Sequence, residues 1–277
     1  MKKKFTVADF QIWKAEGKKI NMFALYDYTF ARLCDQSDIP LILVGDSMGM
    51  AVYGHPGTVP VTVDQIIMHS QAVVRGAPNT FIVGDMPFAS YNVSREQAIT
   101  NANRIFKEGG VDCIKLEGGV EMADKIEAIV RAGIPVMGHL GLTPQTAAAL
   151  GGFKTQGKSL DAIKKLVADA RAVEAAGAVA TLVECVPNRA SEVMAKAVNI
   201  PLIGVGGGPA CHGFGQGYLD MLCMSDMKPK FVKVYGDFGS QIITIFNQFY
   251  KDCSDGTYPA PENCYKLDID FKDEDVL

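Results

Sequence analysis

Residues 112–140, DCIKLEGGVEMADKIEAIVRAGIPVMGHL, contain the unit from which the fold of this chain can be predicted. The apolar run DCIKL is followed by a helical pattern over residues 120–132, by Gly133, and then by a second apolar run, PVMGHL. Apolar strands that alternate with helices are typical of parallel sheets buried on both faces. A glycine between helix and strand suits the left-handed residue that ends many helices. The stretch therefore predicts one strand–helix–strand unit with parallel strands.

The same alternation extends along the whole chain. Helical patterns also cover residues 94–108 and 160–176, and Gly109-Gly110 and Gly177 follow them at the expected helix ends. Eight such units predict an α/β fold, a (β/α)8 TIM barrel, with a doubly wound open sheet as the alternative. The eight predicted strands are INMFAL from Ile20, PLILV from Pro40, TFIVG from Thr80, DCIKL from Asp112, PVMGHL from Pro135, ATLVEC from Ala180, PLIGV from Pro201 and KFVKV from Lys230.

The length of 277 residues suits a single barrel domain over residues 1–277, with a short polar tail from about residue 259. One interval is longer than a bare barrel requires. Residues 47–79, between the second and third predicted strands, include GMAVYGHPGTVPVTVDQ. We interpret this interval as an extended active-site loop followed by a helix over residues 63–75.

Composition and charge exclude several classes of protein. The chain is 48% hydrophobic and 21% charged, which excludes a disordered polypeptide. Its net charge is −4 and no segment concentrates basic residues, so we expect no nucleic-acid partner. No apolar run reaches the length of a membrane span, and the start lacks the apolar core of a secretion signal. We therefore expect a cytoplasmic protein without a membrane partner, whose seven scattered cysteines are reduced.

Polar residues recur where the predicted strands end. In a TIM barrel these positions open onto one face, where active sites are assembled. A solvated carboxylate at a single strand end is unremarkable, but ionisable residues from five successive strands together predict a carboxylate-rich pocket. These residues are Asp46 (next to Ser47), Asp85, Lys115, Glu117, His139 and Glu184.

The composition of this pocket indicates a magnesium site. Asp46 and Asp85 are hard oxygen donors without a nearby cysteine or pair of histidines, which favours Mg²⁺ over zinc. Glu117 is placed to contact the ion through a water molecule. Such an ion chelates the carboxylate and ketone oxygens of a 2-oxo acid and stabilises the enolate formed from it.

The remaining pocket residues suit substrate binding and proton transfer. Lys115 and Ser47 can hold the substrate carboxylate by charge and hydrogen bond. Glu184, on an apolar strand, suits a base that removes a carbon-bound proton, and its alternative role is a helix-capping or salt-bridged carboxylate. The residues thus predict a metal-assisted carbanion enzyme, and they leave its substrate open.

Several long blocks within residues 20–258 resemble the ketopantoate hydroxymethyltransferase family. The blocks occur in the same order as in that family and nearly without gaps. They include YDYTFA from Tyr26, VGDSMGM from Val44, PVTVDQIIMH from Pro60, GDMPF from Gly84, IKLEGG from Ile114, GHLGLTPQ from Gly138 and VECVP from Val183.

The resemblance implies a barrel of the phosphoenolpyruvate/pyruvate superfamily that assembles as a homodecamer. It implies transfer of a one-carbon unit from 5,10-methylenetetrahydrofolate to 3-methyl-2-oxobutanoate, giving 2-dehydropantoate for pantothenate and coenzyme A synthesis. It also implies site roles: Mg²⁺ held by Asp46 and Asp85 with Glu117 close by, the 2-oxo acid contacted by Asp46, Ser47, Asp85, Lys115 and His139, and Glu184 as the base.

The sequence departs from the family pattern after the seventh predicted strand. Residues 206–224 read GGGPACHGFGQGYLDMLCM, and the customary Asp is replaced around His212. Two other functions therefore stay open. One is a 2-oxo-acid lyase or mutase of the same superfamily, although the cysteine-containing loop of those enzymes is missing after the fourth strand. The other is a non-catalytic oligomeric relative.

Overall fold

Eight parallel strands form a closed barrel in chain order in a computed structural model, which describes residues 2–277. The first strand pairs with both the second and the eighth, which closes the barrel. The predicted TIM barrel is therefore confirmed over the open doubly wound sheet. The strands are β1 (Met22–Ala24), β2 (Leu41–Val44), β3 (Phe81–Asp85), β4 (Cys113–Glu117), β5 (Val136–Gly141), β6 (Ala180–Glu184), β7 (Leu202–Val205) and β8 (Gly213–Gly217).

The helices begin and end near the residues that the sequence predicts. Ser94 and Ser159 each accept a hydrogen bond from the backbone N–H three residues on, and so begin their helices. Gly110 follows a helix with φ of 74°, the left-handed conformation that glycine adopts without strain. The α-helices are α1 (Val7–Ala15), α2 (Tyr28–Asp35), α3 (Met48–Ala51), α4 (Val63–Gly76), α5 (Arg95–Gly109), α6 (Ala123–Arg131), α7 (Leu160–Ala175), α8 (Asn188–Ala197), α9 (Tyr218–Met221) and α10 (Phe238–Ser254).

Aromatic side chains close the barrel at the amino-terminal ends of its strands. Phe5 packs edge-on against Phe10 and Trp13, and both Phe5 and Phe10 contact Phe81 at the start of β3. Phe5 and Phe10 are buried. Since this end is filled with apolar side chains, a polar ligand can enter only from the carboxyl-terminal ends of the strands.

The eighth strand is GFGQG at Gly213–Gly217, so the predicted strand KFVKV over residues 230–234 is wrong. Glycine is depleted in strands, and for this reason the strand pattern was not visible here. The structure nevertheless requires glycine, because a Cβ on Gly213 would lie 1.8 Å from the carbonyl oxygen of Ile20. Any larger residue would force β8 away from β1.

Residues 230–234 instead cross the carboxyl-terminal end of the barrel as irregular chain. Gln216 of β8 binds this segment at two points. Its Nε2 donates to the carbonyl oxygen of Lys233 at 2.7 Å, and its Oε1 accepts from the Lys233 N–H at 3.3 Å. The segment is therefore held against the edge of the site by β8.

His212, where the sequence departs from the family pattern, helps to close the barrel. Its Nδ1 accepts a hydrogen bond from the Leu202 N–H at 3.1 Å, and its carbonyl oxygen accepts one from the Ile20 N–H. Burial and the charges of Lys14 and Lys19 lower the pKa of His212 to about 4. The ring is therefore neutral near pH 7, as an acceptor must be.

The carboxyl-terminal helix α10 contributes no buried residue to the barrel. Its apolar side chains are exposed, including Ile243, Ile245, Phe246 and Phe249. Within residues 2–277, no helix combines the length and the apolar character needed to span a bilayer.

Candidate active site

The seven predicted site residues line one cavity at the carboxyl-terminal ends of the strands. Asp46 and Ser47 follow β2, Asp85 ends β3, and β4 supplies two residues from the same face. The cavity has a volume of about 900 Å³. Its polar floor consists of Asp46, Ser47, Asp85, Lys115, Glu117, His139 and Glu184.

Three carboxylates lie at the bottom of this cavity. Asp46, Asp85 and Glu117 are each at most 3% exposed. The backbone N–H of Asp46 donates to Asp85 Oδ2 at 3.0 Å, which holds the two aspartates side by side. Burial and the neighbouring carboxylates raise the pKa of both aspartates above its ordinary value. Each aspartate therefore loses its proton less readily here than in water, and a cation bound beside it would favour the ionised form.

Lys115 is the cation among these carboxylates. Its Nζ lies 2.9 Å from Asp85 Oδ1 and 3.8 Å from Glu117 Oε1. Burial alone would lower the pKa of this lysine, but the charges of Asp85 and Glu117 raise it above its ordinary value. Lys115 is therefore charged, and it neutralises one of the three carboxylates.

His139 lies between two glutamates. Its Nδ1 is 3.3 Å from Glu117 Oε1, and its Nε2 is 3.3 Å from Glu184 Oε2. Burial and the charge of Lys115 lower the pKa of His139, but the two glutamates outweigh them and raise it to about 9. The Nζ of Lys115 lies 3.3 Å from the same Nδ1, so the ring contacts this lysine as well as both glutamates.

Glu184 is the most solvent-accessible carboxylate of the site. It ends β6, and its side chain is 18% exposed, whereas that of Glu117 is 2% exposed. Gly141 of β5 leaves room for the backbone of Glu184, because a Cβ at position 141 would lie 2.3 Å from the Glu184 carbonyl oxygen. Cys185 then takes a left-handed φ of 48°, so the chain turns sharply away after Glu184. The carboxylate faces the open cavity.

Gln145 is a site residue that the sequence reasoning missed. Its Nε2 donates to Asp46 Oδ2 at 2.8 Å, and its backbone N–H donates to Glu117 Oε2 at 3.1 Å. Its own side-chain oxygen accepts from the hydroxyl of Tyr91 at 2.6 Å. The block GHLGLTPQ from Gly138 includes this glutamine, but an amide after a strand end carries no charge signal. Gln145 is a positioning residue that orients two carboxylates.

Comparison with known proteins shows the family of this chain. The family model described as ketopantoate hydroxymethyltransferase matches residues 4–261. A 3-methyl-2-oxobutanoate hydroxymethyltransferase from Heliobacterium modesticaldum is 50% identical over 273 residues, which are 98% of this chain and 99% of that relative. The chain belongs to the ketopantoate hydroxymethyltransferase family.

Solved structures with low sequence identity share the fold of this family member. A 2,3-dimethylmalate lyase, described as a PEP mutase/isocitrate lyase superfamily member, matches with a TM-score of 0.57 at 13% identity, over 92% of each chain. A phosphonopyruvate hydrolase in complex with oxalate and Mg²⁺ matches with a TM-score of 0.58 at 15% identity, over 94% of this chain and 93% of that one. These likenesses show that the chain shares the barrel fold of both structures.

The donor set of the family member fits a hard divalent cation. Asp85 Oδ1 and Glu117 Oε1 are buried and accept no hydrogen bond of ordinary geometry from residues 2–277, although both lie near Lys115. In the same part of the chain, no group of three or more Cys, His, Asp or Glu side chains is placed to hold a metal by itself. Mg²⁺ fits such a site, since it takes one or two protein carboxylates and completes its shell with water and substrate oxygens.

Proposed function

We propose that this family member transfers a hydroxymethyl group from 5,10-methylenetetrahydrofolate to 3-methyl-2-oxobutanoate, with Mg²⁺ at its active site. The observation that carries the proposal is the cluster of three buried carboxylates around one lysine, with Glu184 at its open side. The family membership supports the choice of substrates.

The proposed metal ligands are Asp46 and Asp85, with Glu117 in contact through water. Three buried carboxylates side by side, two of them joined through the Asp46 N–H, supply the hard oxygen donors that favour this assignment. Bound there, Mg²⁺ supplies a Lewis acid that withdraws electron density from the ketone and acidifies the C3–H of the substrate. Gln145 keeps Asp46 and Glu117 in position for this role.

Lys115 and Ser47 are proposed to bind the carboxylate of the 2-oxo acid. Lys115 is a buried cation on the cavity floor, and Ser47 lines the same floor. The hydroxyl of Tyr26 lies 2.8 Å from Ser47 Oγ and fixes the orientation of this serine. His139, between the two glutamates, is proposed to contact the 2-oxo acid, as the resemblance implies.

Glu184 is proposed as the base that accepts the C3 proton. Its carboxylate faces the cavity, and His139 holds it by one oxygen. After the proton moves to Glu184, C3 forms the new carbon–carbon bond to the one-carbon unit. Both carbon–nitrogen bonds of the donor methylene break, and its carbon and the oxygen of a water molecule become the hydroxymethyl group. One proton from that water and the proton held by Glu184 pass to the two nitrogens, so the donor leaves as tetrahydrofolate.

The two alternatives are less well supported. A lyase or mutase function would follow from the solved structures, but those are 13–15% identical and indicate the fold alone. A non-catalytic relative would have no need to keep seven polar residues on one cavity floor, and all seven are there. The relative at 50% identity carries the transferase name.

Removal of divalent metal tests the proposed chemistry. We expect the protein with 3-methyl-2-oxobutanoate and 5,10-methylenetetrahydrofolate to form 2-dehydropantoate with Mg²⁺, and EDTA to stop it with full recovery after excess Mg²⁺. Mass spectrometry of the product measures both. Product formation at an undiminished rate in EDTA would contradict the metal's role, and no product under any condition would contradict the function.

The exposed apolar side of α10 supports a homo-oligomer, which the resemblance predicts to be a decamer. Ile243, Ile245, Phe246 and Phe249 would be covered by another copy, since large exposed apolar patches mark interaction sites. Sedimentation velocity measures the assembly. A single monomeric species at micromolar concentration would contradict this part of the proposal.

A further inference from the structure

The cavity extends well beyond the polar floor on which the 2-oxo acid is proposed to bind. A volume of about 900 Å³ is typical of sites that enclose a drug-sized molecule, and the five-carbon acid fills only a small part of it. Loops that follow β5, β6 and α9 build its outer walls. The outer lining residues are Phe153, Thr155, Pro187, Asn188 and the segment 227–231.

The segment 227–231, MKPKF, is fixed at the cavity mouth by its packing. Phe231 lies against Gly206 at the end of β7, where a Cβ would be 2.8 Å from the ring. Two residues further along, the paired hydrogen bonds between Gln216 and the Lys233 backbone hold the chain to β8. A segment held at both points presents a defined surface to a ligand in the cavity.

This mouth combines apolar and cationic side chains. Phe153 on the opposite loop is 55% exposed, and Phe231 and Met227 also line the cavity. Lys228 and Lys230 line it too and are both exposed. Within residues 2–277, neither lysine has a carboxylate oxygen within 4.0 Å. Two available cations beside an apolar wall suit a ligand with a flat aromatic body and an anionic end.

We infer that segment 227–231 binds the one-carbon donor, with Lys228 and Lys230 contacting the glutamate carboxylates of the folate tail. The inference rests on the proposed function, because it assumes that a folate is the second substrate. Phe153, Met227 and Phe231 supply the apolar surface for the aromatic body of the donor, and this places its methylene carbon toward the polar floor. Lys228 and Lys230 thereby act as specificity-determining residues for the folate tail.

The test replaces both lysines and varies the length of the folate tail. For K228Q/K230Q we expect the KM for 5,10-methylenetetrahydrofolate to rise about threefold to tenfold, as expected for the loss of two exposed ionic contacts. Wild type should have a lower KM for the triglutamate than for the monoglutamate, and the double variant should lose that preference. Added salt should raise the wild-type KM for the triglutamate and affect the variant little.

K233Q is the matched control. Lys233 lies two residues beyond the segment. Its side chain lies over the Tyr235 ring and does not line the cavity, and Gln216 binds only its backbone. K233Q should keep the wild-type KM for both folates. In both variants the folate-independent exchange of the substrate C3 proton should stay within twofold of wild type, because the polar floor is unchanged.

The outcomes separate the inference from the proposed function. If wild type exchanges the C3 proton and forms product, but K228Q/K230Q keeps the wild-type KM and tail preference, the inference is overturned and the function stands. If K233Q raises the KM as much as the double variant does, the rise in KM comes from a changed conformation of this part of the chain. The inference is then also overturned. If the wild-type protein neither exchanges the C3 proton nor forms product, both the proposed function and the inference are contradicted.

Discussion

Glu184→Gln is expected to lower the exchange of the substrate C3 proton by about 10³-fold, the range in which loss of a general base falls. Glutamine has nearly the same shape, but its amide oxygen cannot hold a proton at neutral pH. Glu184 ends β6 and contacts His139 Nε2 at 3.3 Å, whereas the proposed metal ligands Asp46 and Asp85 follow β2 and end β3. Binding of 3-methyl-2-oxobutanoate with Mg²⁺ should therefore persist, and the ligand should still raise the melting temperature of the variant.

Glu192→Gln is the matched control for this prediction. Glu192 lies on α8, the helix that follows β6, and pairs with Arg189 and Lys196 on the surface. This variant should exchange the C3 proton at the wild-type rate. If Glu184→Gln exchanges as fast as Glu192→Gln, Glu184 is not the base. If it exchanges slowly because the acid no longer binds, the melting shift with ligand will be lost as well, and Glu184 then acts in binding.

Asp85→Asn is expected to weaken Mg²⁺ binding at least about 100-fold. Changes to residues that only orient a metal ligand already cost about 10- to 100-fold, and Asp85 is a proposed direct ligand. The asparagine oxygen can still accept the hydrogen bond from the Asp46 N–H, so the local backbone is retained. The substitution also removes one negative charge from the site and takes from Lys115 its carboxylate partner at 2.9 Å. Isothermal titration with Mg²⁺ measures the loss.

Asp112→Asn provides the same substitution at the other end of the barrel. Asp112 precedes β4, pairs with Lys4 and accepts from the Ile82 N–H. We expect this variant to lose some stability and to keep the wild-type affinity for Mg²⁺. An unchanged titration in Asp85→Asn would mean that the cation is held by a different set of oxygens.

The barrel and the polar floor of the site could be predicted because their signals are local in sequence. A parallel strand buried on both faces appears as an apolar run, and the residue that ends it is directed to one face of the barrel. Asp85 and Glu117 each end a strand of this kind. Their convergence follows from the topology, so spacing along the chain is sufficient to predict it.

The features that were missed depend on contacts between distant parts of the chain. β8 is glycine-rich because Ile20 leaves no room for a side chain at Gly213, and no pattern within residues 213–217 shows this. Gln145 contacts Asp46 and Glu117 only after three strands have come together. The run KFVKV has the composition of a strand, but its place is at the cavity mouth, where β8 binds it through Gln216.

Every step proposed for this site depends on removal of the C3 proton of 3-methyl-2-oxobutanoate in this cavity with the aid of Mg²⁺. Proton NMR of the acid in D₂O, with protein and Mg²⁺ and without folate, measures that removal. We expect the C3 signal to disappear while the methyl doublet collapses to a singlet, and added 5,10-methylenetetrahydrofolate then to yield 2-dehydropantoate. A C3 signal that persists for as long as it does without protein, both before and after the folate is added, would contradict it.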